Sequence, residues 1–460
     1  MLDWNDRCET GRFWIANARL VDPASESVAE GALRVDGGRI AGRAEGAPPD
    51  DGDAVLDAGG LCLAPGLVDM HVHLREPGQE DRETVATGSR AAARGGVTTM
   101  ACMPNTDPPV DSGAMVRFVR EKAAAAGLCR VLPVGAVTLG QAGSQLADLG
   151  EMHEAGAVAF SDDGLPVADA GLLRHAMEHG RTWDLLLISH AEDRALSQGG
   201  HMHEGAMATR LGLKGIPRES EDVAVDRDLR LAGMTGARLH VAHVSSLGAV
   251  DILRRAKAAG VRATAEVTPH HLLLTDADLA GYDPNRKMNP PLREAADQEA
   301  LITGLLDGTL DCVATDHAPH TEVDKGREFA AAPFGVTGLE TALAAVLTRL
   351  VATGLMTLPR ALALLTRRPA DILGIEAGRL DEGAPADLVL FDPDERWTVR
   401  GAESASLSAN TAFEGMELAG RVRATFLGGR PVYLREVAGG GAPDEERWHP
   451  RPWREEAARA

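Results

Sequence analysis

Eight stretches rich in branched aliphatic residues recur along the chain, and each leads into a polar, alanine-rich stretch. In order they read LAPGLVDMHVHL, GGVTTMACMP, RVLPVGAV, GAVAFSDD, DLLLISHA, RLHVAHVSS, VRATAEVTP and DCVATDHAP. The intervening segments, such as ETVATGSRAAARGG and AVDILRRAKAAG, repeat their apolar residues at the period of a helix. Eight such units over roughly 260 residues predict an α/β fold, a (β/α)8 TIM barrel. An open doubly wound sheet uses the same units. No GxGxxG turn follows the first strand, however, as a dinucleotide-binding sheet would require.

The flanks have a different texture. FWIANARLVDP and GALRVDGGRIAGRAEG near the start, and GRLDEGAPADLVLFDP and GRVRATFLGGRPVYL near the end, are short alternating segments broken by turn residues. They predict one small β domain assembled from both chain ends: residues 1–64 and 376–436, around a barrel at 65–375. The tail, 437–460, is rich in Gly, Pro and charge and is expected to wrap on the surface or stay disordered, with its two tryptophans favouring docking. A chain of 460 residues with 44% hydrophobic but only 3% aromatic residues must build its core from small and branched side chains packed closely.

A formal net charge of −21 opposes binding to nucleic acid or to an anionic membrane, so neither is expected as a partner. The start, MLDWNDRCETGRF, lacks a basic segment followed by an apolar one, and no stretch approaches ~18 uninterrupted apolar residues, which predicts a cytoplasmic protein. The five cysteines, Cys8, Cys62, Cys102, Cys129 and Cys312, are scattered without CxxC pairing and read as small buried hydrophobes.

Polar residues gather where the predicted strands end. His71 and His73 alternate on one strand face. Asp162 and Asp163 end the fourth strand, His190 the fifth, His243 the sixth and Asp316 the eighth. Barrel active sites form at this end of the strands. Imidazole and carboxylate ligands without thiolate suit zinc, or another borderline divalent ion, in a site with an open position. Packed together without metal, such groups would include costly unpaired buried charges. One or two zinc ions are therefore expected, and two would suit a hydrolytic site that activates water and polarises a carbonyl. Adjacent strand residues face opposite ways, so one of Asp162 and Asp163 faces the cluster, and the pattern alone does not say which.

Taken together, HVHLREPG, MPNT, FSDDG, SHAED, VAHVSS, KMNPPLR and ATDHAPH make the chain resemble a class I dihydroorotase of the amidohydrolase superfamily over nearly its whole length. The resemblance implies the reversible cyclisation of N-carbamoyl-L-aspartate to L-dihydroorotate, with loss of water, in de novo pyrimidine biosynthesis. It implies that His71 and His73 hold one metal and His190 and His243 the other. Most of that superfamily bridges its metals with a carboxylated lysine, but this chain has no lysine between Lys122 and Lys214. The second aspartate of the relatives' DDG, here Asp163, takes that place by resemblance, with Asp162 bonding locally. Asp316 is implied as ligand and proton shuttle. The substrate carboxylate calls for a guanidinium, and Arg75 is the candidate, with Asn105 and His320 completing the clamp. Asn289 and the backbone around Pro333 and Gly335 would contact the ring. The resemblance leaves a homodimer and an association with aspartate transcarbamoylase open.

Each assignment has a plainer competitor. Arg75 could pair with Glu76 or Glu80. His270 and His271 either line the site or bond locally. His201 and His203 in HMHEG imitate a metal pair, but a glycine-flanked loop would not fix their geometry. His153, His175, His179 and His449 read as surface residues, and 321–332 as a polar loop beside the site that could serve as a lid. Competing functions are another cyclic amidase, such as a hydantoinase or allantoinase, and a non-catalytic partner of aspartate transcarbamoylase. The second would lack the metal ligands present here.

Overall fold

The computed structural model describes residues 11–437 and 444–451. Its centre is an eight-stranded parallel sheet in sequential order: β1 Leu67–Val72, β2 Val97–Cys102, β3 Arg130–Gly135, β4 Ala159–Phe160, β5 Leu186–Ser189, β6 Arg238–Val241, β7 Ala263–Val267 and β8 Cys312–Val313. A bridge between Val72 and His317, with the His73 amide donating to the His317 carbonyl at 2.8 Å, closes the sheet into a barrel. Val68, Met70, Ala101, Val134, Ala159, Ile188 and Cys312 fill the interior. The alternate residues, among them Leu67, Met100, Val131, Phe160 and Leu239, pack outward under the helices. Burying a large aliphatic side chain in this way contributes about 1.5–3 kcal/mol.

The shortage of aromatics has a visible counterpart in close approach. Helix Val85–Arg94 starts on Thr84, whose hydroxyl accepts from the Thr87 amide, and it buries Ala91, Ala92 and Ala93. At its end, a Cβ on Gly95 would lie 2.1 Å from the Leu339 carbonyl oxygen, so only glycine fits.

A second sheet is shared by both ends of the chain. Strands Arg12–Asp22, Ser27–Asp36, Arg39–Glu45, Ala54–Asp57 and Cys62–Pro65 come before the barrel, and Leu388–Thr398, Glu417–Leu427, Arg430–Glu436 and Glu445–Trp448 after it. The two groups meet where Leu388 pairs antiparallel with Pro65. Phe13, Ile15, Leu33, Leu56, Leu388 and Phe426 form its core.

Part of the tail is ordered on this sheet. Glu445–Trp448 pairs with Arg430–Glu436, and the Trp448 ring lies 5.4 Å from Tyr433 with the Arg90 guanidinium 4.6 Å above it. The second tail tryptophan, Trp453, and Cys8 lie outside the described residues. Cys62, Cys102, Cys129 and Cys312 are buried free thiols. Among the described residues, no helix is long and apolar enough to cross a membrane.

Candidate active site

The site begins with a break in strand phase. Val68 and Met70 face the barrel interior, whereas Val72 packs outward. The β1/β2 register shifts between Asp69 and Val72, and this irregularity turns His71 and His73 toward the barrel mouth. Two more residues of the cluster have left-handed backbones, His243 at φ 35° and Asp316 at φ 48°. Such conformations in side-chain-bearing residues are costly and gather at functional sites.

Asp163 lies at the centre of four imidazoles. Its Oδ1 is 3.4 Å from His71 Nε2, 3.3 Å from His190 Nδ1 and 3.6 Å from His243 Nε2, and its Oδ2 is 3.4 Å from His73 Nε2. Asp316 Oδ1 stands 3.0 Å from His73 Nε2 and 3.6 Å from His71 Nε2. Asp162 faces the other way. It accepts from the backbone amides of Val137 and Thr138 at 2.8 and 3.1 Å and from the Thr138 hydroxyl. Strand alternation thus separates the two aspartates, and Asp163 is the one among the histidines.

The far nitrogens of three of these rings have oxygen neighbours. His71 Nδ1 donates to Glu266 Oε1 at 2.6 Å, and His73 Nδ1 donates to Asn105 Oδ1 at 2.7 Å. His190 Nε2 is 3.6 Å from Glu192 Oε2. Glu266 also receives His240 Nε2 at 3.2 Å and the His243 amide at 3.3 Å, so it touches both halves of the cluster. Partners of this kind fix the tautomer and aim the other nitrogen.

The electrostatics call for positive charge. Burial would push the Asp163 carboxyl up, but the charge of His71 and the close ring nitrogens of His190, His243 and His71 outweigh it and hold it well below the ordinary range. Burial opposes charge on His71 too, yet Asp163 and Glu266 raise it well above 6.5. His190 is raised to about 10 against its own burial by Asp163 and Glu192, and Glu266 falls to about 2 through His71 and His240 despite burial. A divalent cation would meet the same demand.

The donor set fits one. His71 Nε2 and Asp163 Oδ1 are buried without a hydrogen-bond partner. The ligand atoms of His71, His73 and Asp163, and those of Asp163, His190 and His243, each lie within 4.8 Å of one another. Two adjacent metal positions sharing Asp163 are compatible with this arrangement.

Arg75, at φ 61°, is buried near the mouth. It pairs with neither candidate glutamate. Glu76 binds Lys122 at 2.7 Å and the Val85 amide at 2.9 Å, and Glu80 accepts from the Gly78 amide at 2.9 Å. The Arg75 Nε instead donates to the Pro319 carbonyl at 3.3 Å, and its terminal nitrogen is 3.4 Å from His320 Nε2. Burial, and secondarily Arg82, lowers its pKa from 12.5 to about 10. A buried guanidinium without a carboxylate in reach is an anion site in waiting.

Asn289 Nδ2 is 3.4 Å from His190 Nε2. The backbone expected to meet the ring is largely engaged. The Gly335 amide donates to the Lys287 carbonyl at 2.9 Å, and the Pro333 carbonyl accepts from Lys325 at 3.0 Å. His320 Nε2 donates to the Phe334 carbonyl at 2.8 Å, which leaves a buried Nδ1 without a partner.

Other histidines divide. His271 bonds locally, to Thr268 Oγ1 at 2.8 Å and the Pro290 carbonyl at 3.1 Å, while His270 Nε2 is buried without a partner. His203 departs from expectation: Met202–His203 pairs with Gly215–Ile216 as a short two-stranded sheet, which buries the imidazole beside Arg293. Its Nε2 is 3.9 Å from Glu294, but Arg218 already binds Glu294 and Asp297 at 2.5 and 2.7 Å. Positive charge thus already occupies the acids a metal there would need. His153, His175 and His179 are exposed and His449 is half-buried.

Sequence reasoning passed over Glu266, Glu192 and His240. Glu266 is the one charge in the β7 strand ATAEV, and Glu192 follows His190 by two residues. Either spacing could have raised the question.

Comparison with known proteins agrees with the geometry. Residues 60–248 match the family described as Dihydro-orotase-like. A dihydroorotase of Pelotomaculum thermopropionicum is 52% identical over 426 residues, covering 93% of this chain and 99% of the relative. One from Anaeromyxobacter dehalogenans is 50% identical over 423 residues, covering 92% and 98%. Among solved structures, the L-hydantoinase of Arthrobacter aurescens superimposes with a TM-score of 0.83 at 28% identity, covering 91% of this chain and 95% of that one. The dihydropyrimidinase of Brevibacillus agri, at 24% identity and a TM-score of 0.79, shares the fold, covering 92% and 95%. With half its residues shared across nearly the full length of such relatives, the chain belongs to the dihydroorotase family of amidohydrolase-superfamily enzymes.

Proposed function

We propose that this protein interconverts L-dihydroorotate and N-carbamoyl-L-aspartate in the cytoplasm, with two zinc ions. His71, His73, Asp163 and Asp316 would hold one, and Asp163, His190 and His243 the other. When bound, the ions supply Lewis acidity toward the ring carbonyl and lower the pKa of water. In the hydrolytic direction a C–O bond forms between water and the ring amide carbon, and the ring C–N bond breaks. Asp316 accepts the proton that water loses and returns it to the departing nitrogen; cyclisation retraces these steps. Burial would push the Asp316 carboxyl up, but the bond from His73 and the charges around it keep it below the ordinary range, so it rests as the carboxylate.

The single observation that carries the substrate is Arg75: a buried guanidinium without a carboxylate partner near the cluster. Asn105 spends its Oδ1 on His73, which leaves its amide nitrogen to donate to the substrate carboxylate beside Arg75. His320, Asn289 and the chain at Pro333 and Gly335 border the ring.

A hydantoinase-like activity is the second reading, favoured by the superposition on the L-hydantoinase. Hydantoin has no ring carboxylate to neutralise Arg75. Turnover of L-dihydroorotate, hydantoin and allantoin by the zinc-loaded protein distinguishes the readings. Dihydroorotate should be the substrate, and activity confined to the other two would overturn the proposal. Light scattering of the protein alone and mixed with aspartate transcarbamoylase tests the homodimer and that association.

A further inference from the structure

Lys287 and Lys325 are almost fully buried, at 3% and 6% exposure, a rare state for lysine. Of the acids on their own segments, Asp283 faces Arg286 at 4.0 Å, Asp324 faces Arg82 at 3.5 Å and Arg327 at 3.4 Å, and Glu322 and Glu328 are exposed. The ammonium groups are instead surrounded by backbone oxygen. Lys287 Nζ donates to the carbonyls of Phe329, Ala330 and Ala332 at 2.8, 3.0 and 2.7 Å. Lys325 Nζ donates to those of Pro284, Lys287 and Pro333 at 2.9, 3.3 and 3.0 Å.

The contacts are reciprocal. Lys287, on the segment after β7, holds the loop after β8, and Lys325, on that loop, holds the segment bearing Lys287. The Gly335 amide adds a third tie, to the Lys287 carbonyl at 2.9 Å. Three acceptors around each nitrogen need three N–H donors, which an ammonium has and a neutral amine lacks. The Phe334 and Phe329 rings, with centroids 4.7 and 5.4 Å from Lys287 Nζ, give that charge further support.

We propose that Lys287 and Lys325 are positioning residues that clasp the loop after β8 against the 284–290 segment, fixing both substrate-facing edges of the site. The inference rests on the dihydroorotase reading for what those edges do. Asn289 lies two residues beyond Lys287, and His320 five before Lys325. Gly335 is pressed against the same corner, where an added Cβ would lie 2.8 Å from the Ala318 carbonyl oxygen and 3.0 Å from His320 Nε2. Apart from one helical turn, Glu322–Lys325, the loop lacks regular structure, and its Phe329, Ala330, Ala332 and Pro333 carbonyls take the lysines as partners.

The test uses the full-length zinc-loaded protein carrying Lys287→Met or Lys325→Met, which keep the aliphatic stem and remove the donors. Four readouts are needed: bound zinc, melting temperature, KM and kcat for L-dihydroorotate, and the rate of chymotryptic cleavage at Phe329 and Phe334. Unchanged zinc, faster cleavage and a KM raised by about 10- to 100-fold, with a smaller change in kcat, are expected. KM and cleavage at wild-type levels would overturn the clasp, and so would a lower melting temperature with unchanged KM. If either Met variant does not fold, Lys287→Gln and Lys325→Gln, which retain two donors, are held to the same criteria. Should the wild type fail to turn over dihydroorotate, the functional reading falls while the cleavage rates still decide the clasp.

Discussion

Replacing Arg75 with methionine should weaken catalysis and strengthen the fold at once. The guanidinium is 7% exposed, and its neighbours do not neutralise it: a carbonyl at 3.3 Å and an imidazole nitrogen at 3.4 Å that itself donates to Phe334. Holding it charged when burial has lowered its pKa from 12.5 to about 10 costs about 3 kcal/mol. Methionine removes that cost and forfeits one long hydrogen bond worth about 1 kcal/mol. The unliganded variant should therefore gain about 2 kcal/mol, visible as a higher urea midpoint. With dihydroorotate the balance reverses. Losing a buried, charge-assisted contact costs about 2–5 kcal/mol, so KM should rise by about 30-fold to several thousandfold with zinc content unchanged. A variant that is less stable than wild type, with KM within about threefold, would show Arg75 to be a structural arginine and refute the reasoning.

Glu266→Gln should weaken zinc binding by about 10- to 100-fold in a chelator competition, since it removes the charge behind His71 and leaves one acceptor oxygen where His71, His240 and the His243 amide shared two. Asp163→Asn should abolish stoichiometric zinc by metal analysis. Asp162→Asn should retain zinc and lose about 1–3 kcal/mol in denaturant, because it disturbs the acceptor of two amides and a hydroxyl; the opposite pattern would reassign the bridge. Removing metal with a chelator should lower the melting temperature, by an amount equivalent to about 2.7 kcal/mol if zinc had been present at 100 times its Kd. An unchanged transition would argue against a resident ion.

The barrel was legible because its signal repeats. Eight apolar runs, each followed by a helical period, leave few alternatives, and the pairing of Cys62–Pro65 with Leu388–Thr398 matches the alternating texture of both ends. Less legible were features that depend on a single contact. β4 and β8 are regular over only two residues each, because GAVAFSDD and DCVATDHAP bend into the site where strands were expected to continue. HMHEG looked like a loop, and its two-residue pairing with Gly215–Ile216, which buries His203, has no periodicity to announce it. Glu445–Trp448 sits in a Gly/Pro-rich tail whose composition argued for wrapping or disorder, yet one tryptophan against Tyr433 and Arg90 accompanies a further edge strand.

At the mouth of the barrel, local rules fail for a reason. Simple alternation from Val68 and Met70 would send His71 and His73 outward among the helices, and the register irregularity after Asp69 reverses that. Arg75, His243 and Asp316 adopt φ of 61°, 35° and 48°, which L side chains avoid at a cost of about 1–3 kcal/mol each. A chain optimised for stability alone would place glycine or asparagine there. These positions instead carry a guanidinium, an imidazole and a carboxylate on strained backbone near the barrel mouth. Motifs reveal which chemistry those residues can do. Strand order and motif placed them at one end of the barrel, but alternation alone did not choose between Asp162 and Asp163, and only the resemblance favoured Asp163.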